Sequence, residues 1–167
     1  MGVCGSGKST VGRQLAQQLG VEFLEGDELH PLENVARMAA GVPLTDEDRQ
    51  DWLHAVAAML GMARMQGRGL VVSCSALKRQ YRDILRGGAP GLQLVYLHGE
   101  RQLLARRMAS RADHYMPASL LESQFAALEE PGADERSLAV DVDQPLDAVV
   151  SAIAAQLNAQ PEPKAPT

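Results

Sequence analysis

Nine residues near the front of the chain constrain it most: Gly2-Val3-Cys4-Gly5-Ser6-Gly7-Lys8-Ser9-Thr10. The pattern Gly2-x-x-x-x-Gly7-Lys8-Ser9 is that of a phosphate-binding loop. Its glycines let backbone N–H groups turn toward a phosphate chain, its lysine reaches the outer phosphates, and its hydroxyl serves Mg²⁺. Val11, Leu15 and Leu19 follow at helical spacing up to Gly20. That helix points its positive end at the same anion. From the chain's own composition, the pattern arises by chance with a probability on the order of 0.2%. Gly2, Gly5, Ser6, Gly7, Lys8, Ser9 and Thr10 are therefore the nucleotide-binding candidates, with ATP and Mg²⁺ the implied cofactors.

Such a loop follows a buried strand in the middle of a sheet. Here only Met1 precedes Gly2. The expectation is that the first strand is missing from the written chain and that Met1 is an internal methionine of it. The rest alternates strand with helix. Strands are expected at 22–25, 70–72, 92–97 and 138–142, with Leu70-Val71-Val72 apolar enough to be buried on both faces. Helices are expected from Pro31 to about 40, through 52–66, around 81–85, over 100–112 and 118–129, and from Pro145 to 157. Thr45 reads as an N-cap, with Asp48 three residues on as the short form of a capping-box acid. The alternation predicts an α/β, three-layer P-loop NTPase fold, a parallel sheet with helices on both faces.

The chain has 167 residues, enough for one domain without disulfide staples. Residues 1–159 read as that domain and the Pro-rich 160–167 as a flexible tail. No apolar run spans a membrane and no leader-like series opens the chain, so a cytoplasmic protein is expected. A net charge of −5 argues against nucleic acid as a partner. Two cysteines give neither a disulfide framework nor metal spacing. Of the 16 basic residues only Lys8, Lys78 and Lys164 are lysines, so Lys8 and Lys78 stand out as places that want a compact ammonium.

Several side chains are expected at the carboxyl edge of the sheet, where open α/β sheets bind ligands. Asp27 closes the second βα unit and is either a solvated loop acid or a base and water-mediated Mg²⁺ ligand. His30, before Pro31, reads by itself as a structural cap. Lys78 is a substrate contact or a surface lysine on the next helix. Arg107 and Arg111 share a helical face beside residues 112–117. They form either a solvated face with Glu100 and Asp113 or, in a P-loop protein, a phosphoryl-transfer lid over about 107–123.

Taken together, the residues resemble the gluconate kinases, small P-loop kinases of the nucleoside-monophosphate-kinase-like class. Beyond the loop, the matching blocks are Gly26-Asp27-x-x-His30-Pro31, Asn34-x-x-x-Met38-x-x-Gly41-x-Pro43-Leu44 and Asp46-x-Asp48-Arg49-x-x-Trp52-Leu53. They continue with Cys74-Ser75-Ala76-Leu77-Lys78-x-x-Tyr81-Arg82-Asp83-x-Leu85-Arg86, Gln124-Phe125-x-x-Leu128-Glu129-x-Pro131-Gly132 and Asp141-x-Asp143-Gln144-Pro145-Leu146. The resemblance implies ATP-dependent phosphorylation of D-gluconate to 6-phosphogluconate. By it, Lys8 and Ser9 hold phosphates and Mg²⁺, Asp27 positions or deprotonates the 6-hydroxyl, and Arg107 and Arg111 belong to the lid. Asp143, Gln144 and Pro145 lie against the adenine. His30, Arg49, Lys78 and Arg82 are substrate contacts, the last three as candidates for the carboxylate. The resemblance also implies a homodimer. Two other readings stay open: another small-molecule P-loop kinase of the shikimate type, and a nucleotide-binding regulator without turnover.

Overall fold

A computed structural model of the chain describes residues 1–110 and 118–159. Four short strands lie parallel in two pairs: β1 (Glu22–Glu25) beside β2 (Leu70–Ser73), and β3 (Leu94–His98) beside β4 (Ser137–Asp141). Among the described residues seven α-helices connect or follow them: α1 (Lys8–Leu19), α2 (Leu32–Ala39), α3 (Gln50–Met65), α4 (Arg79–Gly88), α5 (Arg101–Ala109), α6 (Ala118–Ala127) and α7 (Leu146–Ala159). Glycine ends α1 as expected, since Gly20 sits at φ 67° and its N–H turns back to the carbonyls of Ala16 and Gln17.

The two pairs meet at the front of the chain. Leu97 N–H donates to the Met1 carbonyl at 2.9 Å, while Gly2 N–H donates to the Ser75 carbonyl just past β2 at 3.1 Å. Met1 thus lies beside β3 between Val95 and Leu97 and Gly2 bonds just past β2, which delivers the phosphate loop to the carboxyl edge. Burial pushes the Met1 amino group down to about 5.

Apolar clusters cover opposite faces of this sheet. One is built by α1, α5, α6 and α7 around Val11, Leu15, Leu104, Val150 and Ile153. The other is built by α3 and α4 around Trp52, Leu53, Val56, Tyr81 and Leu85. Val71 packs on the first cluster and Leu70 and Val72 on the second, so both faces of β2 are covered. Burial is less complete than the apolar run predicts: Leu70, Val71 and Val72 are each half-buried. The physical reason is lateral. Among the described residues, only Met1–Val3 lies between β2 and β3; Met1 runs beside β3 from Val95 to Leu97, while Gly2 bonds the β2 side only past its end, at Ser75.

Thr45 and Asp48 form the expected reciprocal pair. Thr45 N–H donates to Asp48 Oδ2 at 2.7 Å and Asp48 N–H to Thr45 Oγ1 at 3.2 Å. The helix nevertheless begins later, at Gln50, because Arg49 and Gln50 first close three-residue turns onto the carbonyls of Asp46 and Glu47. The box therefore shapes the loop that carries Arg49.

Candidate active site

The phosphate loop wraps tightly enough to exclude side chains at its glycines. Gly5 has φ 79°, and a Cβ there would stand 2.7 Å from the Leu104 carbonyl of α5. Gly7, at φ 83°, turns the chain into α1. Fully buried Ser6 donates from Oγ to the Val3 carbonyl at 2.8 Å, and Lys8 Nζ donates to the same carbonyl at 3.0 Å. Lys8 is thereby curled over the loop, where a phosphate chain would meet it. Ser9 and Thr10 occupy the first turn of α1, with Ser9 partly open and Thr10 exposed.

At the end of β1 the chain passes unusually close to β2. A Cβ on Gly26 would lie 2.2 Å from the Ser73 carbonyl, so only glycine fits. The next residue is Asp27, which is exposed at the start of the turn after β1. Crowding by protein, which strips its water, pushes its pKa up, and the negative charge of Glu25 adds to this. Lys8 and Arg49 pull the other way, so both cations stand within electrostatic reach of Asp27. Arg49 is half-buried and, among the described residues, has no carboxylate within salt-bridge distance.

His30 is only 8% exposed. Its ring stacks on Trp52 at 4.2 Å with an interplanar angle of 14°, and its Nδ1 has no hydrogen-bond partner among the described residues. Burial, then the charge of Arg49, push its pKa down to about 4. Trp52 in turn donates from Nε1 to the Gly26 carbonyl at 2.7 Å. One aromatic pair therefore braces the turn that holds Asp27.

Other candidates are committed to the protein. Lys78 bonds both oxygens of Asp46 at 2.7 Å, and Asp46 also accepts from Tyr81 Oη and Gln80 Nε2. Arg82 is not at the crevice at all. It is 1% exposed and bidentate to Glu135 at 2.6 and 2.7 Å, with Nη1 donating to the carbonyls of Ala76, Leu77 and Glu129. All three of its nitrogens are engaged in a buried latch, and the side chain is shut off from solvent.

Arg107 of α5 donates from Nη2 to the Val142 carbonyl at 2.8 Å. It thus stands beside the exposed turn Asp143-Gln144-Pro145, which is itself tied to Asp141. Arg111 and most of the segment between α5 and α6 lie outside the described residues, so the region 107–123, expected from the sequence to form a lid, is described only at its ends. Sequence reasoning gave no role to Gln124, whose Oε1 accepts the Cys4 N–H of the loop at 2.6 Å. Its one signal was membership of the block that begins with it.

Comparison with known proteins agrees with this arrangement. The model of the shikimate kinase family matches residues 4–156. The thermoresistant gluconokinase of Escherichia coli K12 is 48% identical, over 90% of this chain and 87% of that protein. A sugar kinase from Janibacter sp. HTCC2649, solved without ligand, superposes with a TM-score of 0.90 at 42% identity, covering 95% of this chain and 91% of that one. A gluconokinase from Sinorhizobium meliloti 1021 does so with a TM-score of 0.83 at 48% identity, covering 96% and 94%. Shikimate kinase from Aquifex aeolicus shares the fold at only 15% identity. This chain, an α/β P-loop kinase, belongs to the gluconokinase family.

Proposed function

We propose that the chain transfers the γ-phosphoryl group of ATP to the 6-hydroxyl of D-gluconate. The observation that carries this reading is that Lys8 of the phosphate loop and Arg49 both act by their charge on Asp27 at the end of β1, with Arg49 free of any carboxylate partner among the described residues. Arg49 suits the carboxylate or hydroxyls of a sugar acid, with His30 beside it as a neutral contact. Asp27 accepts the proton of the 6-hydroxyl as its oxygen bonds to phosphorus and the bond from phosphorus to the bridging oxygen of ADP breaks. Lys8 and Arg107 offset the charge of the two anionic reactants. Asp143, Gln144 and Pro145 take the adenine.

Ser9 and Asp27 suit Mg²⁺, since both offer hard oxygen donors. Among the described residues no cluster of three or more acidic, His or Cys ligands competes as a metal site. When bound, the ion supplies charge neutralisation between the phosphates. We further propose a cytoplasmic homodimer; light scattering would then report about twice the 17.9 kDa of one chain.

The test is product mass spectrometry with Mg²⁺, ATP, gluconate, other sugar acids and shikimate. Phosphorylation of gluconate is expected; a product from shikimate instead would overturn the substrate. With Asp27→Asn, kcat should fall about 10²- to 10⁴-fold while KM for gluconate moves little. A normal kcat in that variant would remove Asp27 from the chemistry.

A further inference from the structure

The Val3–Cys4 peptide is gripped at both ends. Its carbonyl takes the Lys8 ammonium at 3.0 Å, the Ser6 hydroxyl at 2.8 Å and the Ser6 N–H at 3.3 Å. Its N–H donates to Gln124 Oε1 at 2.6 Å, across 120 residues of chain. A backbone N–H can only donate, so the carboxamide atom facing Cys4 is the oxygen. Gln124 is half-buried on α6, one residue from Phe125, which packs on the cluster that holds Val3. The same helix leads into Leu128–Glu129, and Glu129 N–H donates to the Leu77 carbonyl beyond β2 at 2.9 Å. The carboxamide therefore sits on a support fixed at both the loop and the substrate-side strand.

A peptide unit is planar, so its carbonyl and N–H turn together. Rotating the Val3–Cys4 plane would carry away the carbonyl on which Lys8 rests. We propose that Gln124 is a positioning residue of the phosphate loop: by accepting the Cys4 N–H it fixes this peptide plane and, through its carbonyl, the Lys8 ammonium. The idea rests on the kinase reading above, and concerns nucleotide handling rather than gluconate binding.

The chain has only two cysteines, Cys4 and Cys74, so ¹⁵N-cysteine labelling gives one amide signal at the contact and one buried control. In Gln124→Met the Cys4 amide should move upfield and exchange faster while Cys74 stays in place. The MgADP dissociation constant should rise about tenfold, and kcat/KM for ATP fall about 10- to 100-fold, with KM for gluconate within about twofold of the parent. A Cys4 signal that does not move would overturn the proposal. So would a moved signal with ADP affinity and kcat/KM for ATP within about twofold, which marks a purely structural contact. A rise in gluconate KM equal to that of ATP would overturn it as well. If Cys74 also shifts, signalling a disrupted fold, Gln124→Asn is read by the same criteria. The Cys4 signal and ADP affinity need no turnover, so a parent enzyme inactive on gluconate would sink the functional reading and still leave Gln124 tested.

Discussion

His30 shows how one side chain joins stability to the site. Its ring is stacked on Trp52 and its Nδ1 is buried without a partner among the described residues. An unfolded histidine takes up a proton near 6.5. The folded one refuses it until about 4. Below 6.5 the unfolded state therefore binds more protons, so this contribution is fully present above pH 6.5 and is lost as pH falls toward 4. The raised carboxyl of Asp27 tilts the balance the opposite way, because a group that holds its proton more tightly when folded favours the fold at low pH. His30→Phe keeps a stacking ring and removes the titration. Urea unfolding at pH 7, 6, 5 and 4 should show a flatter decline in that variant. An unchanged decline would assign the acid sensitivity elsewhere.

At the scale of elements, α4 and the stretch after α6 are joined by Arg82 and Glu135, both nearly inaccessible. Arg82, then desolvation opposing it, then Arg86 set the Glu135 carboxyl, and the net effect holds it down at about 2. Its contribution is present above the usual glutamate range and lost as pH falls toward 2. Arg82→Met leaves a buried carboxylate with Arg86 alone, which should cost about 3–5 kcal/mol. For a chain of this size that is a loss of roughly 6–20 °C in Tm. Adding Glu135→Leu should restore much of it, and calorimetry of both variants checks this. The same pair explains where the sequence was readable and where it was not. Strand–helix alternation was legible because Gly20, Gly41 and Gly67, each at positive φ, stop α1, α2 and α3 locally, whereas α4 runs through Gly87-Gly88 to Ala89. The phosphate loop was legible because its chemistry is contiguous, Gly2 to Thr10. Arg82 and Arg49 look alike in sequence. What separates them is a carboxylate 53 residues beyond Arg82 and the lack of one within salt-bridge distance of Arg49 among the described residues, and no local pattern carries that. Gln124 was hidden for the same reason, since its partner is 120 residues away.

Over the whole molecule, the reactive edge lies between two apolar clusters on opposite sheet faces, and among the described residues only the Met1–Val3 segment joins the half-sheets there. A ligand held by both halves stabilises the folded state by mass action. At 100 times its dissociation constant each ligand contributes about 2.7 kcal/mol, or roughly 5–11 °C for a domain of this length. Both ligands are anions on a chain of net charge −5, so local cations must supply the attraction. The proposed division of labour makes a double dissociation. Lys8→Met should abolish most of the thermal shift caused by a non-hydrolysable ATP analogue and leave that of gluconate. Arg49→Met should do the reverse, because the charge of Arg49 acts on Asp27 and His30, the residues proposed to meet the sugar acid. Raising ionic strength should shrink both shifts, through screening of exposed charges. If Arg49→Met instead removes the nucleotide shift and spares that of gluconate, the two cations have been assigned to the wrong ligands, and the carboxylate of the sugar acid must be held elsewhere in the crevice.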